Sequence, residues 1–212
     1  MRYGGRKWGY HSKRVVRSAS VVKAMLLVAY LNEGSVRHRR LSAEDRELLD
    51  PMIERSDNGA ADRVYELVGP ARLRRLARRA HMRRFAVGPA GYWGGSQICA
   101  DDQARFFLHI DQLVVPKHRP AALRLLRSIT PDQRWGVGRV RLPRGWKLYF
   151  KGGWGSGTGA VDHQIALLER GAQRVSVAVL TTDDPSHEYG KETLRGIFAR
   201  LLHTLPSPSP HS

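Results

Sequence analysis

A serine and a lysine stand three residues apart in the apolar run SASVVKAMLLVAYLN, residues 18–32. Side chains at positions i and i+3 of a helix lie on one face, so Ser20 and Lys23 would be neighbours. The surrounding residues are apolar on every side, which predicts a buried helix. Burial lowers the pKa of a lysine, and a neutral amine can accept the proton of a nearby hydroxyl. The pair could therefore carry out acyl transfer, with the N–H groups of the first helical turn stabilising the developing negative charge.

The same stretch also fits a helix N-cap serine followed by a lysine that extends towards solvent. Two further short motifs favour the chemical interpretation. Ser56-Asp57-Asn58 begins a predicted helix, where it could otherwise be a cap alone, and Lys151-Gly152-Gly153 ends the strand-like run WKLYF. A lysine and glycines in that place suit the exit of a strand that lines a cleft, although a surface lysine before a turn has the same pattern.

The composition is that of a globular protein of 212 residues, with 42% hydrophobic and 26% charged residues and a net charge of +17. The densest basic run, RLRRLARRAHMRR at residues 72–84, has helical spacing that places its arginines on an outer face. A solvated face is the simpler interpretation, and a weak contact with nucleic acid or an anionic polymer is the alternative. Cys99 is the only cysteine and the nine histidines are scattered, so we expect no disulfide, metal or cofactor.

The order of elements predicts an α+β fold, with helices in the middle of the chain and strands near its end. We predict one domain over residues 1–205, with a helical lobe at about 33–140 and a sheet lobe from about 3–19 and 141–205. The tail 206–212 is rich in proline and serine, so we predict that it is disordered. The predicted helices are 20–32, two within 41–69, 69–82, 100–114, one from 119 and 190–205; the predicted strands are 6–12, 146–154, 163–170 and 174–182.

The three motifs in this order resemble the Ser-x-x-Lys, Ser-Asp-Asn and Lys-Thr-Gly set of penicillin-recognising serine enzymes. From about Arg6 to Leu205 the chain resembles the class A β-lactamase-like family of the β-lactamase/transpeptidase superfamily. The stretches that carry the resemblance are AADRVYELVGPARLRRLARRAHM, SQICADDQARFFLHI, KGGWGSGTGAVDHQIALLER and RVSVAVLTT. The resemblance implies an antiparallel sheet flanked by helices, an all-helical lobe and a place outside the cytoplasm, although no signal peptide opens this sequence.

The resemblance also implies catalytic roles. Ser20 would be the acylated nucleophile and Lys23 its general base. Ser56 would relay a proton to the leaving nitrogen, and Lys151 would attract the substrate carboxylate and polarise Ser56.

It likewise implies three substrate-binding positions. Asn58 would bind the substrate amide, and Gly153 and Trp154 would line the site. The backbone N–H groups of Ser20 and Trp154 would form the oxyanion hole.

Two departures from the family pattern concern the site. Gly152 stands in the place of the usual threonine or serine, and Ser156 or Thr158 could supply the missing hydroxyl. The loop at residues 86–98, AVGPAGYWGGSQI, contains no acidic residue, although β-lactamases of this class use a glutamate in this loop to activate the deacylating water. Asp101 and Asp102 follow at a helix start, where we expect N-terminal capping. We therefore expect slow or negligible β-lactam turnover.

A third departure is that only 19 residues precede Ser20, too few for the family's leading helix and first strand pair. We expect the sheet to lose an edge strand and its covering helix, exposing backbone and apolar surface. Either the gene starts further upstream, with an export signal, or the chain is an N-terminally shortened variant.

These observations lead to a primary hypothesis and two alternatives. The primary one is a monomeric bacterial serine hydrolase, without a membrane span, that acts on β-lactams or cell-wall D-amino-acid peptides. The first alternative is a non-catalytic binding module that keeps the fold. The second, an anion-binding surface protein, depends on the arginines alone.

Overall fold

The computed structural model describes residues 1–155, 159–203 and 205. Ser156 and Thr158, and the tail 206–212, lie outside the described residues. The helices are α1 Lys23–Leu31, α2 Ala43–Glu54, α3 Asn58–Arg79, α4 Ala100–Leu108, α5 Arg119–Arg127 and α6 His187–Leu202. The strands are β1 Arg2–Tyr3, β2 Arg6–Lys7, β3 Val16–Arg17, β4 Gln97–Ile98, β5 Lys147–Gly155, β6 Val161–Arg170 and β7 Gln173–Leu180.

Five of the strands form one antiparallel sheet in the order β2-β1-β7-β6-β5, and β3 pairs with β4 separately. The three long strands are those predicted from the sequence at 146–154, 163–170 and 174–182. The first eight residues of β6 are buried because this strand lies inside the sheet and both α4 and α6 pack against it. An α+β fold with an antiparallel sheet flanked by helices is therefore confirmed.

Helix α1 is buried along its whole length, as its all-round apolar sequence predicted. It packs against α2 and α3, so it forms the centre of the helical side of the molecule. A 3₁₀ turn, Ala19–Val22, precedes it. This central position fixes the direction in which Ser20 and Lys23 face.

Helices α2 and α3 begin at strong caps. Ser42 and Asp45 form a reciprocal capping box at α2, and the Asp57 carboxylate accepts a hydrogen bond from Ala60 N at 2.7 Å at the start of α3. The predicted stop at Asp50-Pro51 was wrong, because Pro51 lies inside the last turn of α2, where its missing N–H removes one hydrogen bond only. The expected break at Gly69 is present as a kink within α3, with φ +69°.

The first residues of the chain form a short edge to the sheet instead of the single strand expected at 6–12. Strands β1 and β2 have two residues each, and Arg2 lies opposite Ser176 of β7. The expected loss of an edge strand is therefore partial, since this small hairpin binds the free edge of β7. Trp8 and Tyr10 follow the hairpin and are 50% and 89% exposed.

Candidate active site

Ser20 lies in the 3₁₀ turn that leads into α1, directly after Ala19, whose φ is +44°. Its side chain is half-buried, and within the part of the chain that the structure describes its hydroxyl makes no hydrogen bond. Ser18, two residues before Ser20, fixes the turn, because Ser18 N donates to Ser96 O at 2.7 Å and Ser18 Oγ donates to Gly94 O at 3.2 Å. The serine is therefore held in place by its neighbours while its own oxygen is left for another partner.

Lys23 is fully buried, one turn after Ser20, and its Nζ is surrounded by acceptors. It donates to Ser56 O at 2.5 Å, to Asn58 Oδ1 at 2.8 Å and to Ser56 Oγ at 3.3 Å. Burial lowers the pKa of Lys23 to about 7, against the opposing charges of Asp57 and Asp62. An amine with this pKa is neutral in a large fraction of molecules near neutral pH, as a general base requires.

Lys151 reaches the same hydroxyl from the sheet. Its Nζ donates to Ser56 Oγ at 2.9 Å and to Gly152 O at 2.8 Å. Burial lowers the pKa of Lys151 well below its usual value, and the charge of Lys23 lowers it further. Ser56, whose φ is +60°, thus stands between two buried amines that disfavour each other's protonation.

Gly153 allows β5 to lie directly against the Ser20 turn. A Cβ atom at this position would stand 2.7 Å from the backbone nitrogens of both Ser20 and Val21, closer than atoms can approach. The sequence predicted Gly153 as a substrate-binding residue, and the structure shows a steric reason for glycine there. The roles of Trp154 N–H and Ser20 N–H as an oxyanion hole stay a prediction.

Gly152 lies on the other face of the strand, where an indole ring fills the space of the missing side chain. A Cβ atom at Gly152 would stand 2.8 Å from Cζ2 of Trp135, a buried residue. The chain therefore has an aromatic ring where the family pattern has a threonine or serine hydroxyl.

Restoring the threonine by Gly152→Thr should lower the free energy of unfolding by about 1–3 kcal/mol, because the ring of Trp135 must move. The double variant Gly152→Thr/Trp135→Leu should lose less than the sum of the two single variants, with a coupling of about 0.5–3 kcal/mol. Urea unfolding of the four proteins measures this coupling. Strict additivity would show that the ring does not obstruct the threonine.

The loop at 86–98 contributes an aromatic residue to the site instead of a carboxylate. Trp93 is buried, its ring centroid lies 4.8 Å from Lys23 Nζ, and its indole N–H donates to Asp62 Oδ1 at 2.6 Å. The carboxylates whose charges act on Lys23 are those of Asp57 and Asp62, and both already accept hydrogen bonds.

Sequence reasoning missed both Trp93 and Asp62. Asp62 had a detectable signal, since it follows Asn58 by one helical turn and so shares its face of α3.

Asp101 and Asp102 lie in the first turn of α4, as expected, but their carboxylates also bind groups outside this turn. Asp101 Oδ1 accepts a hydrogen bond from Arg2 at 2.7 Å, and Asp102 Oδ2 accepts one from Arg84 N at 2.7 Å. The cap position of α4 is Cys99, without a side-chain hydrogen bond. These carboxylates tie the N-terminal hairpin and the segment after α3 to α4.

An aromatic cluster borders the end of β5, and its only local signal is a lone carboxylate in an apolar strand. Trp154 is 52% exposed and stacks on His187 with ring centroids 4.3 Å apart, while Trp135 contacts the same imidazole edge-on with centroids 5.3 Å apart. Beneath them Asp162 is buried and lies 2.6 Å from His187 Nδ1. Burial raises the pKa of Asp162 to about 6, against the stabilising contact with His187.

Neither a metal cluster nor a membrane-spanning helix is found in the described ranges. No group of three or more histidine, cysteine, aspartate or glutamate side chains is placed to hold an ion there. No helix of these ranges is both long enough and apolar enough to cross a bilayer.

The antiparallel sheet flanked by helices, together with the helical side built around α1, defines a β-lactamase-like fold. The chain belongs to the beta-lactamase enzyme family, whose model matches residues 38–205.

Solved structures share this fold at low sequence identity. A β-lactamase from Sphaerobacter thermophilus superposes with a TM-score of 0.77 at 20% identity, covering 97% of this chain and 90% of that one. A β-lactamase mutant from Vibrio parahaemolyticus gives a TM-score of 0.79 at 14% identity, with 95% and 90% covered.

A match in sequence is also found to LppW of Mycobacterium tuberculosis, 34% identical over 98 residues. It spans 44% of this chain and 30% of the length of LppW.

Proposed function

We propose that this protein is a serine hydrolase that forms an acyl-enzyme at Ser20 with β-lactams or with cell-wall peptides ending in D-amino acids. The observation that carries the proposal is the environment of Lys23, a buried amine with a pKa of about 7 one turn after the serine. Burial of a lysine without a full counter-charge destabilises the folded state. A lysine with only a structural role would therefore not be expected in this environment.

In the first step, the neutral amine of Lys23 accepts the proton of Ser20 Oγ as that oxygen attacks the substrate carbonyl. The N–H groups of Ser20 and Trp154 stabilise the resulting oxyanion. The hydroxyl of Ser56 then gives its proton to the departing nitrogen and recovers one from the neighbouring amines. Because Asn58 Oδ1 accepts from Lys23, its amide N–H groups remain as donors for the substrate amide.

Binding of the substrate carboxylate rests on Lys151 in this proposal. The lowered pKa of this lysine weakens it as a permanent positive charge, and Gly152 supplies no hydroxyl. Since the carboxylate of a β-lactam would itself favour protonation of Lys151, binding of an anionic substrate and uptake of a proton are expected to be coupled.

The alternative function, a non-catalytic binding module, is favoured by the ring of Trp135 against Gly152 and by the loop at 86–98, which brings Trp93 instead of a carboxylate. Both features remove groups that the family pattern uses, and neither removes the serine or the lysines. The two functions differ in whether Ser20 becomes covalently modified.

Intact-protein mass spectrometry after incubation with benzylpenicillin tests the proposal. The protein should gain the mass of one penicillin molecule, and Ser20→Ala should gain none. Ser35→Ala, an exposed serine at a distance in the sequence, is the matched control and should be modified like the parent. A folded parent protein that stays unmodified would favour the binding module.

The acylation rate should depend on pH through Lys23. Because its pKa is lowered to about 7, the amine is charged and inactive below that value and neutral above it. At saturating β-lactam, where Lys151 is already paired with the substrate carboxylate, the first-order rate constant of acylation should therefore rise about tenfold per pH unit below pH 6 and level off above pH 8. Adduct formation measured by quench and mass spectrometry between pH 5 and 9 checks this, and a rate that is flat over that range would contradict it.

A further inference from the structure

A cavity separate from the serine site lies on the helical side of the molecule. It has a volume of about 650 Å³ and is bordered by the end of α1, the second half of α3 and the segment from Gln112 to Arg119. Five arginines line it, and Glu33 is the only acidic residue among its lining residues. The arginines are Arg37, Arg72, Arg75, Arg79 and Arg119.

Three of these guanidinium groups are held in place by neighbouring oxygens. Arg72 Nε lies 2.6 Å from Glu33 Oε1. Arg79 and Arg119 donate to the backbone oxygens of the segment after α4, at 3.3 and 3.2 Å. Each group keeps further N–H donors, since a guanidinium has five. The three arginines are thus oriented without being saturated.

The other two, Arg37 and Arg75, make no close side-chain contact with an acceptor, although the charge of Arg75 acts on Glu33. Over residues 1–155, 159–203 and 205 neither guanidinium makes a hydrogen bond or an ion pair. One carboxylate therefore faces five permanent positive charges around one concavity. Such an excess of charge repels itself, and an anion in the cavity would relieve that repulsion.

The ligand class follows from the donors and the shape. Guanidinium groups bind phosphate oxygens through two parallel N–H bonds, and a cavity of this size holds a ligand of nucleotide dimensions. No aromatic residue lines the cavity, so nothing there would stack on a base. The arrangement suits several linked phosphates better than a nucleobase or an extended nucleic-acid strand.

We propose that this cavity binds a compact polyphosphate, a di- or triphosphate group, through the five arginines. The proposal is independent of the serine chemistry, because none of the lining residues belongs to the candidate active site. Three of the five arginines, Arg72, Arg75 and Arg79, belong to the basic run at 72–84, so the proposal assigns a ligand to that part of the run.

Titration calorimetry with inorganic tripolyphosphate at low salt tests the proposal. The charge-matched comparison is Arg37→Gln/Arg75→Gln against Arg141→Gln/Arg144→Gln, which removes two exposed arginines outside the cavity. The first variant should bind at least about tenfold more weakly than the parent, and the second within about twofold. All four substitutions are at exposed side chains, so both variants should remain folded, and Arg37→Gln/Arg75→Gln should melt no lower than the parent because it removes part of the mutual repulsion.

Two comparisons identify the ligand group and the specificity. ATP should bind with an affinity close to that of tripolyphosphate, because the phosphates carry the recognition, and inorganic phosphate should bind far more weakly. No binding of tripolyphosphate, or equal losses in both double variants, would overturn the proposal. Tighter binding of a single-stranded oligonucleotide through the same arginines would overturn the claim of a compact ligand.

Discussion

Replacing Lys23 by methionine should lower the second-order rate constant of acylation by β-lactams by about 10²- to 10⁴-fold. Methionine keeps much of the length and volume of the lysine but cannot accept the proton of Ser20. The substitution removes the desolvation cost of a buried amine, but it also leaves Ser56 O and Asn58 Oδ1 without their donor, so the fold of the variant is checked separately. The rate constant is obtained from the time course of adduct formation with a fluorescent penicillin.

The control for this result is Lys147→Met, which changes an exposed lysine at the other end of β5. That variant should acylate at the rate of the parent, and unfolding curves of both should show a cooperative transition. If Lys23→Met acylates within about tenfold of the parent, Lys23 is not the base. Lys151, whose pKa is also lowered and which contacts Ser56, would then be the remaining candidate for the base.

The acyl-enzyme should persist once it has formed. A chromogenic cephalosporin should give a burst of one product molecule per protein molecule, followed by a steady-state phase slower by at least about 10²-fold. The physical reason is that the loop at 86–98 places the ring of Trp93 over Lys23. The carboxylates that act electrostatically on Lys23, those of Asp57 and Asp62, are occupied by other donors.

The adduct mass followed over hours after removal of free antibiotic gives the deacylation rate directly. A covalent modification that disappears as fast as it forms would contradict the expectation and would require a base that is not evident in the geometry. Ser20→Ala should show neither burst nor slow phase, which separates acylation from non-covalent binding.

Much of this fold was predictable because its determinants are local. The apolar run of α1 allows only burial, the cap residues of α3 mark its start, and β5, β6 and β7 have strand-like runs between turns. The hairpin at residues 2–7 was not predictable in this way. It has no pattern of its own, and it forms because β7 offers a free edge with which Arg2 and Tyr3 can pair.

The candidate site likewise has some features that the local sequence indicates and others that depend on long-range contacts. Short motifs contain the four polar residues of the site, so their types and spacing indicated that they act together. These residues are Ser20, Lys23, Ser56 and Lys151. The surroundings of those residues depend on contacts between distant parts of the chain. Trp93 covers Lys23 from 70 positions away, and the pair Asp162–His187 joins β6 to α6. No local signal in the sequence could report that a ring of Trp135 faces Gly152.

The backbone conformations of Ala19 and Ser56 affect when the site acquires its geometry. Both residues adopt positive φ angles that side chains other than glycine rarely adopt, and each such conformation stores roughly 1–3 kcal/mol of strain. The rest of the fold must hold these two segments against relaxation. The hydroxyl of Ser20 and that of Ser56 are therefore preorganised during folding rather than on substrate binding. Local melting of these two turns would abolish the arrangement while the sheet and α1 stay intact.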